Sequence, residues 1–467
     1  MTAAAMGATL SLETVLSGTG GRPLGAAPLP PFAGVSIDSR SINRGELFVA
    51  IVGAHFDGHD FVPQAAARGA AAALVHREVV GPAGFPLLRV EDTTRALADL
   101  ARHVRLTAAI PVVCITGSTG KTTTKEMTAA LVGLRGPTLK SEGNLNNQYG
   151  LPLSLLRLRP EHRAAVLELG MSAHGELRRL TDIARPDVAL ITNVAPVHLE
   201  FFESVDDIAR AKAEILEGLR PDGAAVLNGD DARVWRIGER HAGRVVWFGR
   251  DRAWDVSAER WRGTAHGMRF DLRIAGHAVE VALPLPGLHN MMNFLAAAAA
   301  AHVLGVEPAA MAAAAPALRP APHRGEVVRL GMGVTLLDDC YNSNPVAVQA
   351  ALAALQLTAH ERRVTFLGDM LELGPGAAEL HRQVGERLAG QADVVVAVGG
   401  LANDFLEGAR AAGLSADALH HFPHAPAAAA AAGEIVRAGD VVLVKGSRGV
   451  RMESIVEALL ARFGRVE

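Results

Sequence analysis

"CITGSTGKTTTKEMTAALV", residues 114–132, joins a short β-branched strand to a helix through a glycine turn. The backbone N–H groups of 117–122 would converge at a helix N-terminus, where they can cradle phosphate oxygens. Lys121 would reach the β- and γ-phosphates of a nucleotide, and the Thr122 hydroxyl would bind Mg²⁺. The nucleotide-binding residues predicted in this turn are Gly117, Ser118, Thr119, Gly120, Lys121, Thr122 and Thr123.

The spacing of this turn is G-x-x-G-K-T, because Ile115 occupies the place of the first glycine in the longer eight-residue pattern. That departure weakens a bare pattern match, and the alternative is a structural turn that happens to carry a lysine. The strand before the turn and the helix after it favour phosphate binding, since that context is the confirming test for the motif. The sequence therefore predicts a nucleoside triphosphate as a ligand.

The composition describes an ordinary globular protein of 467 residues, with 49% hydrophobic and 20% charged side chains. Its formal net charge of −3 argues against nucleic acid or an anionic membrane as a partner. The longest apolar run, "FLAAAAAAHVLG", is too short to span a bilayer, and the N-terminus lacks the pattern of a signal peptide. Two cysteines, Cys114 and Cys340, fit a reducing compartment. We expect a soluble cytoplasmic monomer without stable membrane association.

Alanine-rich helical stretches alternate with apolar β-branched runs, which is typical of α/β proteins. Several runs are apolar throughout, as buried parallel strands are. The predicted strands are 111–116, 164–170, 187–194, 334–339, 363–369, 393–400 and 440–446. Seams near 105–110 and 316–323 divide the chain into three predicted domains, namely residues 1–108, 109–320 and 321–467. We expect a smaller N-terminal α/β domain, a central P-loop-type domain with a mostly parallel sheet, and a C-terminal Rossmann-like domain. Residues 250–280 are interpreted as an antiparallel hairpin insert without assigned chemistry.

Two strand ends beyond the glycine turn carry candidate metal ligands. Glu168 ends the strand in "AAVLELG", and His198 follows the strand in "ITNVAPVHLE". The carboxyl ends of strands in open α/β sheets form the ligand crevice. Oxygen suits Mg²⁺ better than imidazole does, so Glu168 is the stronger candidate. Taken singly, such a glutamate is more often a cap or an ion-pair partner, and a single histidine is more often a hydrogen-bonded core residue.

Lys212 lies in "DDIARAKAEIL", residues 206–216, and is one of five lysines among 46 basic residues. At about 100° per residue, it falls in the middle of an apolar helical face. That face contains Ile208, Ile215 and Leu219, and the opposite face contains Arg210, Glu214 and Glu217. An ammonium that points into the interior is disfavoured, so its pKa should fall. A neutral amine near Mg²⁺ can add CO₂ and become a carbamate, which arginine could not supply. The alternative is a lysine that extends to solvent or pairs with a buried acid.

Five further segments follow one another along the chain and belong to the same set of motifs. They are "SEGNLNNQYGLPLSLL", "LPGLHNMMNFLAAAA", "LLDDCYNSNPVAV", "LGDMLELG" and "VLVKGSRGVRMESIV". Together with the glycine turn and the strand ends, they resemble the Mur ligase family of ATP-dependent amide-forming enzymes of peptidoglycan precursor synthesis. The similarity covers nearly the whole chain and is greatest to members that add D-alanyl-D-alanine. The DNPR motif of the diaminopimelate-adding members is absent.

The resemblance implies that ATP and Mg²⁺ drive the joining of a UDP-N-acetylmuramoyl tripeptide to D-alanyl-D-alanine through an acyl phosphate. The implied catalytic residues are Lys121, Glu168, His198 and Lys212, and the implied metal shell is Thr122, Glu168, His198 and a carbamate on Lys212. The implied nucleotide contacts outside the turn are Asn290, Asn293, Arg324 and Asp339. The implied substrate contacts are Ser39, Arg40, Asp57, Gly58, His59, Asn144, Asn147, Lys445 and Arg448. For Asn290, a helix cap is the alternative.

Other functions also fit parts of the pattern. Another ligase of the same family, such as an enzyme similar to folylpolyglutamate synthetase, would lack the uridine-binding segment and should respond to folate rather than to a muropeptide. A P-loop ATPase switch would hydrolyse ATP without a carboxylate substrate. A non-catalytic nucleotide-binding protein is disfavoured, because Lys121, Thr122, Glu168 and Lys212 are all present.

Overall fold

We describe the protein from a computed structural model, in residues 10–24, 29–250, 252–264, 267–357 and 362–466. The N-terminal part contains a five-stranded sheet of order β1-β5-β4-β3-β2. Its strands are β1 (Arg22–Leu24), β2 (Val35–Ser36), β3 (Leu47–Val49), β4 (Ala72–Val75) and β5 (Leu87–Arg89). Its helices are α1 (Leu12–Thr19), α2 (Val62–Ala67) and α3 (Thr93–Ala108). Strand β1 is antiparallel to β5, whereas the other pairs are parallel.

The central part contains a nine-stranded sheet of order β14-β13-β12-β11-β10-β9-β6-β8-β7. Its strands are β6 (Val112–Thr116), β7 (Thr138–Lys140), β8 (Ala164–Glu168), β9 (Val188–Ile191), β10 (Ala224–Asn228), β11 (Arg244–Gly249), β12 (Val256–Thr264), β13 (Gly267–Ile274) and β14 (His277–Leu283). Its helices are α4 (Lys121–Val132), α5 (Gly150–Leu155), α6 (Glu176–Ala184), α7 (Val205–Ala213), α8 (Ala232–Glu239), α9 (Leu288–Val303) and α10 (Pro308–Ala314).

The region interpreted as a single hairpin is larger than the sequence predicted. Strands β12, β13 and β14 pair antiparallel with one another, and β12 continues the sheet by a parallel pairing with β11. The prediction of antiparallel structure is confirmed, but the prediction of one hairpin is wrong. In the third strand, "HAVEVAL", buried residues alternate with more exposed ones only near the end. The sequence pattern that would predict a strand there is therefore weak.

The C-terminal part contains a six-stranded sheet of order β15-β16-β20-β17-β18-β19. Its strands are β15 (Glu326–Arg329), β16 (Thr335–Asp339), β17 (Arg362–Gly368), β18 (Val394–Val398), β19 (Leu419–Phe422) and β20 (Asp440–Lys445). Its helices are α11 (Pro345–Gln356), α12 (Ala377–Glu386), α13 (Asn403–Ala411), α14 (Ala425–Ile435) and α15 (Glu453–Phe463). Only β15 is antiparallel to its neighbour; the remaining pairs are parallel.

Successive side chains along the C-terminal strands point to opposite faces of the sheet, and each face has its own hydrophobic core. Leu336 packs in one cluster with residues of α14 and α15, whereas Leu337 packs in a second with residues of α11, α12 and α13. Both faces are covered by helices, so apolar side chains are required on both, and the strands are apolar throughout. This arrangement leaves the carboxyl ends of the strands as the polar edge.

Helix boundaries follow from caps in the sequence. The Asp92 side chain accepts hydrogen bonds from the first turn of α3, and Asn344 caps α11 ahead of Pro345. Both are favourable N-terminal arrangements.

The contacts within the chain divide it into two compact units. The first holds the described residues of 1–116, 132–190 and 213–225, and the second holds those of 117–131, 191–212 and 226–467. Within the described ranges, no helix combines the length and apolarity needed to cross a bilayer.

Candidate active site

The glycine turn connects β6 to α4 and is hydrogen-bonded to the segment that follows β9, which includes Asn193. Gly117 and Gly120 have φ values of 152° and 78°, which favour glycine. The Ser118 N–H donates to the Asn193 carbonyl oxygen at 3.0 Å, and the Thr119 N–H donates to Asn193 Oδ1 at 2.9 Å. Asn193 follows β9, so the neighbouring strand end fixes the shape of the turn. We call residues 117–122 the phosphate loop.

Lys121 lies at the start of α4 with its amine folded back over the loop. Its Nζ donates to the carbonyl oxygens of Gly117, at 2.8 Å, and Ser118, at 3.3 Å. Thr122, one residue further along the helix, is largely buried. In the phosphate-binding motif, a lysine at the position of Lys121 binds phosphate and a hydroxyl at the position of Thr122 binds Mg²⁺.

Helix α9 contributes Asn293 to the phosphate loop. Thr124 Oγ1 donates to Asn293 Oδ1 at 3.3 Å, and a Cβ atom at Gly120 would lie 2.3 Å from that same oxygen. Asn290 lies inside α9 after the cap residue Gly287, and its Nδ2 donates back to the Pro286 carbonyl oxygen at 2.8 Å. Asn290 therefore stabilises the start of the helix from within the first turn, while Asn293 contacts the loop.

Lys212 is buried on α7, with 2% of its surface exposed. Among the described residues, no carboxylate forms an ion pair with it. Burial lowers the pKa of the amine well below its ordinary value, and the charge of Lys121 lowers it further. The buried side chain matches neither alternative, a solvent-exposed amine or an ion pair with a described carboxylate.

The helical spacing placed Glu214 on the polar face opposite Lys212, but the structure does not continue the α-helix to this residue. Helix α7 ends at Ala213, and a 3₁₀ turn covers Glu214–Leu216, so the angular spacing of a continuous α-helix no longer applies. Glu214 is buried, and its carboxylate accepts the Gly175 N–H at 2.8 Å. Gly175 precedes α6, so Glu214 supplies negative charge at the N-terminus of that helix.

Glu168 ends β8 with its side chain buried. Asn146 Nδ2 donates to Glu168 Oε1 at 3.1 Å, and the Glu168 N–H donates to Ser141 Oγ at 2.9 Å. Glu168 pairs in register with Ile115 of β6, two residues before the phosphate loop begins. A buried carboxylate that is oriented by an amide suits Mg²⁺. By chemistry alone, the Thr122 hydroxyl and the Glu168 carboxylate are oxygen donors of the kind that Mg²⁺ accepts, and a carbamate on Lys212 would be a third.

His198 is bound to a residue that the sequence did not single out. His198 Nδ1 lies 2.5 Å from Glu372 Oε2, and both residues adopt positive φ values, 57° and 63°. The hydrogen bond to His198 holds the pKa of the Glu372 carboxyl below its ordinary value. Glu372 lies in the C-terminal "LGDMLELG" segment, so it fixes the imidazole of a candidate metal ligand from a distant part of the chain.

Lys445 and Asp339 occupy paired positions at the ends of β20 and β16. Lys445 Nζ donates to Asp339 Oδ2 at 2.6 Å and to the Asn342 carbonyl oxygen at 3.0 Å, and Lys445 is buried. The two residues were predicted to contact different parts of the substrates. In the structure they neutralise one another at the polar edge of the C-terminal sheet.

Two predicted arginines flank one aromatic ring. The Arg324 guanidinium carbon lies 4.0 Å from the centroid of the Tyr341 ring, and that of Arg448 lies 5.5 Å from it. Cation–π contacts of this kind hold a guanidinium plane in place. Tyr341 therefore brings Arg324 and Arg448, which are far apart in the sequence, to one position.

The predicted uridine-nucleotide contacts divide into buried and exposed residues. Ser39 is buried, and its Oγ donates to Gln64 Oε1 at 2.6 Å. Arg40 is exposed and pairs with Asp38. The His59 side chain is fully buried, with Nδ1 2.6 Å from Asp57 Oδ1. Gly58 begins a 3₁₀ turn that covers Gly58–Phe61. Arg40 is thus the predicted contact that is open to solvent, whereas Asp57 and His59 stabilise the turn.

Asp57→Asn is expected to destabilise the N-terminal part by about 2 kcal/mol at pH 7. Burial alone would raise the pKa of the Asp57 carboxyl, but hydrogen bonds from the His59 N–H, the His59 imidazole and Arg77 lower it to about 2. Because the folded-state pKa is depressed, this stabilisation is present above the unfolded value of 3.8 and is lost as the pH falls toward 2. Thermal unfolding of both proteins at pH 7 measures the difference.

Asp60→Asn is the matched control for this substitution. Asp60 pairs with the same Arg77 side chain but is two-thirds exposed, so its loss should change the unfolding free energy by less than about 0.5 kcal/mol. Equal effects of the two substitutions would contradict a structural role specific to Asp57.

The segment "SEGNLNNQYG" places its two predicted contacts differently. Asn147 Oδ1 accepts the N–H groups of Tyr149 and Gly150 at 3.1 and 2.9 Å and so stabilises the start of α5. Asn144 is exposed. Asn144 could therefore contact a substrate without breaking a helix cap. Asn147 would have to give up the hydrogen bonds with which it caps α5.

Known domain families match most of the chain. The Mur ligase middle domain matches residues 115–301, the glutamate ligase domain of Mur ligases matches 323–448, and the domain described as the Mur ligase family catalytic domain matches 31–105. The chain belongs to the Mur ligase family. The family predicted from the motifs is confirmed.

Curated Mur ligases align with this chain over most of their length. It is 40% identical over 441 residues to the UDP-N-acetylmuramoyl-tripeptide–D-alanyl-D-alanine ligase of Escherichia coli K12, covering 91% of this chain and 93% of that enzyme. It is 34% identical over 430 residues to the enzyme of the same name from Bacillus subtilis 168, covering 91% of this chain and 93% of that enzyme.

Solved Mur ligase structures share the fold. A crystal structure of MurF from Acinetobacter baumannii gives a TM-score of 0.89 at 32% identity, covering 98% of this chain and all of that chain. The structure of MurF ligase from Thermotoga maritima in complex with ADP gives 0.80 at 31% identity, covering 92% and 97% of the two chains. The predicted three-domain α/β fold class is confirmed.

In this Mur ligase, sequence reasoning missed three residues that organise the site. Asn193 holds the phosphate loop, Glu372 binds His198, and Tyr341 lies against Arg324 and Arg448. Asn193 had an available signal, since a polar amide directly after the apolar strand "DVALIT" lies at the ligand edge. Glu372 and Tyr341 had none, because their partners are brought close only by folding.

Proposed function

We propose that this chain joins D-alanyl-D-alanine to a UDP-N-acetylmuramoyl tripeptide at the expense of ATP, in peptidoglycan precursor synthesis. The observation that carries the proposal is the 40% identity to the Escherichia coli enzyme of that activity, over 91% of this chain. The phosphate loop and the buried Lys212 support it, because they supply what phosphoryl transfer to a carboxylate requires. The free carboxylate of the tripeptide would be the acceptor of the phosphoryl group.

The reaction would proceed in two steps whose atoms balance. A carboxylate oxygen of the tripeptide attacks the γ-phosphorus of ATP, the bond to the ADP oxygen breaks, and an acyl phosphate forms. The ammonium of D-alanyl-D-alanine first loses one proton, and the neutral amine attacks the acyl carbon. The nitrogen then loses a second proton, the bond from carbon to the phosphate oxygen breaks, and inorganic phosphate leaves the new amide, which keeps one N–H. Activation is needed because a carboxylate oxygen is a poor leaving group, whereas phosphate is a stable anion.

The chain's contribution to the first step is alignment and charge neutralisation. Lys121 exchanges the carbonyl oxygens of Gly117 and Ser118 for phosphate oxygens, and loop N–H groups bind the same anion. Mg²⁺ would neutralise charge on the triphosphate, held by Thr122, Glu168 and a carbamate on Lys212. His198, oriented by Glu372, would complete the metal shell directly or through water.

The C-terminal residues would act on the substrates. Arg324 lies on Tyr341 and would close over the triphosphate, and Asp339 would contact the ribose. Lys445, at present paired with Asp339, and Arg448 would position the acyl phosphate or the dipeptide carboxylate. Asn290 and Asn293 would contribute to the adenine site, with Asn293 also supporting the loop.

We place the domain boundaries near residues 108 and 320. The three sheets occupy Arg22–Arg89, Val112–Leu283 and Glu326–Lys445, so both boundaries fall between sheets. The N-terminal domain would bind the uridine nucleotide through Arg40 and neighbouring backbone, with Asn144 reaching the substrate from the central domain. The enzyme would act in the cytoplasm as a monomer, on soluble substrates and without nucleic acid.

Phosphate release from ATP, with each substrate omitted in turn, tests this function. Release is expected only when the UDP-N-acetylmuramoyl tripeptide and D-alanyl-D-alanine are both present. Release with ATP alone would indicate a P-loop ATPase switch and reject the ligase. Release with a folate and glutamate, but not with the tripeptide, would indicate an enzyme similar to folylpolyglutamate synthetase. Comparing tripeptides with lysine and with diaminopimelate in the third position would define the preferred substrate.

A further inference from the structure

Three side chains capable of binding a metal meet at the start of the C-terminal sheet, apart from the phosphate loop. The ligand atoms of His323, Asp338 and Cys340 all lie within 4.8 Å of one another. His323 Nδ1 lies 2.8 Å from Asp338 Oδ2, and Asp338 and Cys340 are buried. In the part of the chain that the structure describes, no other group of His, Cys, Asp or Glu side chains meets this distance criterion.

The backbone fixes the two segments that carry these side chains. The Gly325 N–H donates to the Asp338 carbonyl oxygen at 2.9 Å, and the Tyr341 N–H donates to the His323 carbonyl oxygen at 3.2 Å. Strands β15 and β16 begin their antiparallel pairing directly beside them. His323 adopts a φ of 62°, and its Nδ1 lies against Asp338 Oδ2. Ligands on backbone that is already hydrogen-bonded lose little freedom when an ion binds.

We propose that His323, Asp338 and Cys340 form a binding site for a borderline-soft divalent cation such as Zn²⁺. One nitrogen, one oxygen and one sulfur atom make a ligand set that zinc accepts and that Mg²⁺ does not favour. Bond lengths of about 2.0–2.3 Å in a tetrahedral site separate ligand atoms by roughly 3.3–3.8 Å. Atoms that already lie within 4.8 Å reach such positions by side-chain rotation, and water fills the fourth position.

The charge around Cys340 favours a cation. Burial, followed by the charge of Asp338, raises the pKa of the Cys340 thiol, and Glu453 and Asp339 act in the same direction. Among the described side chains, Glu453 Oε2 is a buried oxygen without a hydrogen-bond partner. Binding therefore breaks the S–H bond, forms a bond between sulfur and the metal, and releases one proton to solvent.

The proposed metal site lies next to Arg324 and Tyr341 in the sequence, so a bound ion would affect both residues. His323 precedes Arg324, and Cys340 precedes Tyr341, so the ion would fix the backbone on both sides of the Arg324–Tyr341 contact. A consequence for ATP turnover rests on the role proposed for Arg324. The metal site itself does not, and it can be tested without substrates.

Titration of the metal-free full chain with Co²⁺ tests the site, because a thiolate ligand gives a charge-transfer absorption that oxygen ligands do not. The wild type should show this band, saturating at one equivalent, and Zn²⁺ should abolish it by displacement. Cys340→Ser should lose the band. His323→Gln should weaken Co²⁺ affinity at least about 10-fold. Cys114→Ala, which removes the only other cysteine, should retain the band at full intensity.

Circular dichroism and thermal unfolding of the metal-free variants establish that each is folded before titration. A wild type without the band, or a band that persists in folded Cys340→Ser, would overturn the proposal. Loss of the band in Cys114→Ala but not in Cys340→Ser would assign the thiolate to the other cysteine and would also overturn it. None of these readouts uses the ligase reaction, so failure here leaves the proposed function untouched.

Discussion

Lys212→Ala is expected to lower ligase kcat by about 10²- to 10³-fold, the range for loss of one preorganised partner of transition-state charge. The Lys212 side chain is buried, and no described carboxylate pairs with it. Burial and the charge of Lys121 lower its pKa, which favours the neutral form of the amine. Such an amine can take up CO₂ and become a carbamate, whose oxygens suit Mg²⁺. Phosphate release with both substrates saturating measures the loss.

Chemical rescue distinguishes the carbamate from a simple positive charge. Acetate or another short carboxylic acid should restore part of the activity of Lys212→Ala, because it can place a carboxylate where the carbamate would be. Lys212→Arg should remain inactive with or without the acid, since a guanidinium stays charged and fills the space. A fully active arginine variant would show that any cation suffices and would remove the carbamate from the mechanism.

The stability of Lys212→Met separates a chemical from a structural role. Because the folded-state pKa of Lys212 is lowered, the unfolded chain binds a proton that the folded chain does not. Wild-type stability should therefore fall as the pH decreases from about 10.4 toward the folded-state pKa. The methionine variant lacks this loss and should unfold at an equal or higher temperature at pH 7. Inactivity in a variant that is less stable and unfolded at the assay temperature would instead indicate a structural role.

The regular elements around the site could be predicted because their signals are local. Strand β6, at Val112–Thr116, was predicted at 111–116, and β20, at Asp440–Lys445, was predicted at 440–446. Buried parallel strands need apolar residues on both faces, so the sequence marks them as continuous runs. The burial of Lys212 was also readable, since helical spacing of neighbouring isoleucines defines the face on which it lies.

The contacts that a single sequence does not show arise where tertiary structure adds to or overrides a local pattern. Glu214 would lie on the face opposite Lys212 on a continuous α-helix, but a 3₁₀ turn covers Glu214–Leu216, and its carboxylate accepts a hydrogen bond at the start of α6. His198 was interpreted from its strand end alone, and its partner Glu372 lies 174 residues further along the chain. Asp339 and Lys445 were predicted from separate motifs, and the parallel pairing of β16 and β20 that places them side by side has no signal in either motif. The spacing of residues along a single sequence does not show which distant residues come into contact after folding.

Gly120→Ala is expected to lower kcat/KM for ATP by about 10²-fold, the effect of displacing a reacting group by about 1 Å. Gly120 has a φ of 78°, and an added Cβ would lie 2.3 Å from Asn293 Oδ1. Real Cβ atoms do not approach an oxygen so closely, so the phosphate loop or α9 must move. Either shift changes the direction of the loop N–H groups and of Lys121. Steady-state kinetics with varied ATP measures the effect, and titration with ADP measures binding without turnover.

Gly276→Ala is the matched control, because Gly276 also has a φ of 78° but no atom lies within 4 Å of the added Cβ. It carries the same backbone strain, about 1–2 kcal/mol, and should leave ATP kinetics unchanged. Adding Asn293→Ala to Gly120→Ala removes the clashing oxygen and should recover part of the lost ADP affinity. Strictly additive effects of the two substitutions would show that the contact with Asn293 is not the cause. Non-additivity would assign to Asn293 the support of the loop through Gly120, independently of any contact it makes with adenine.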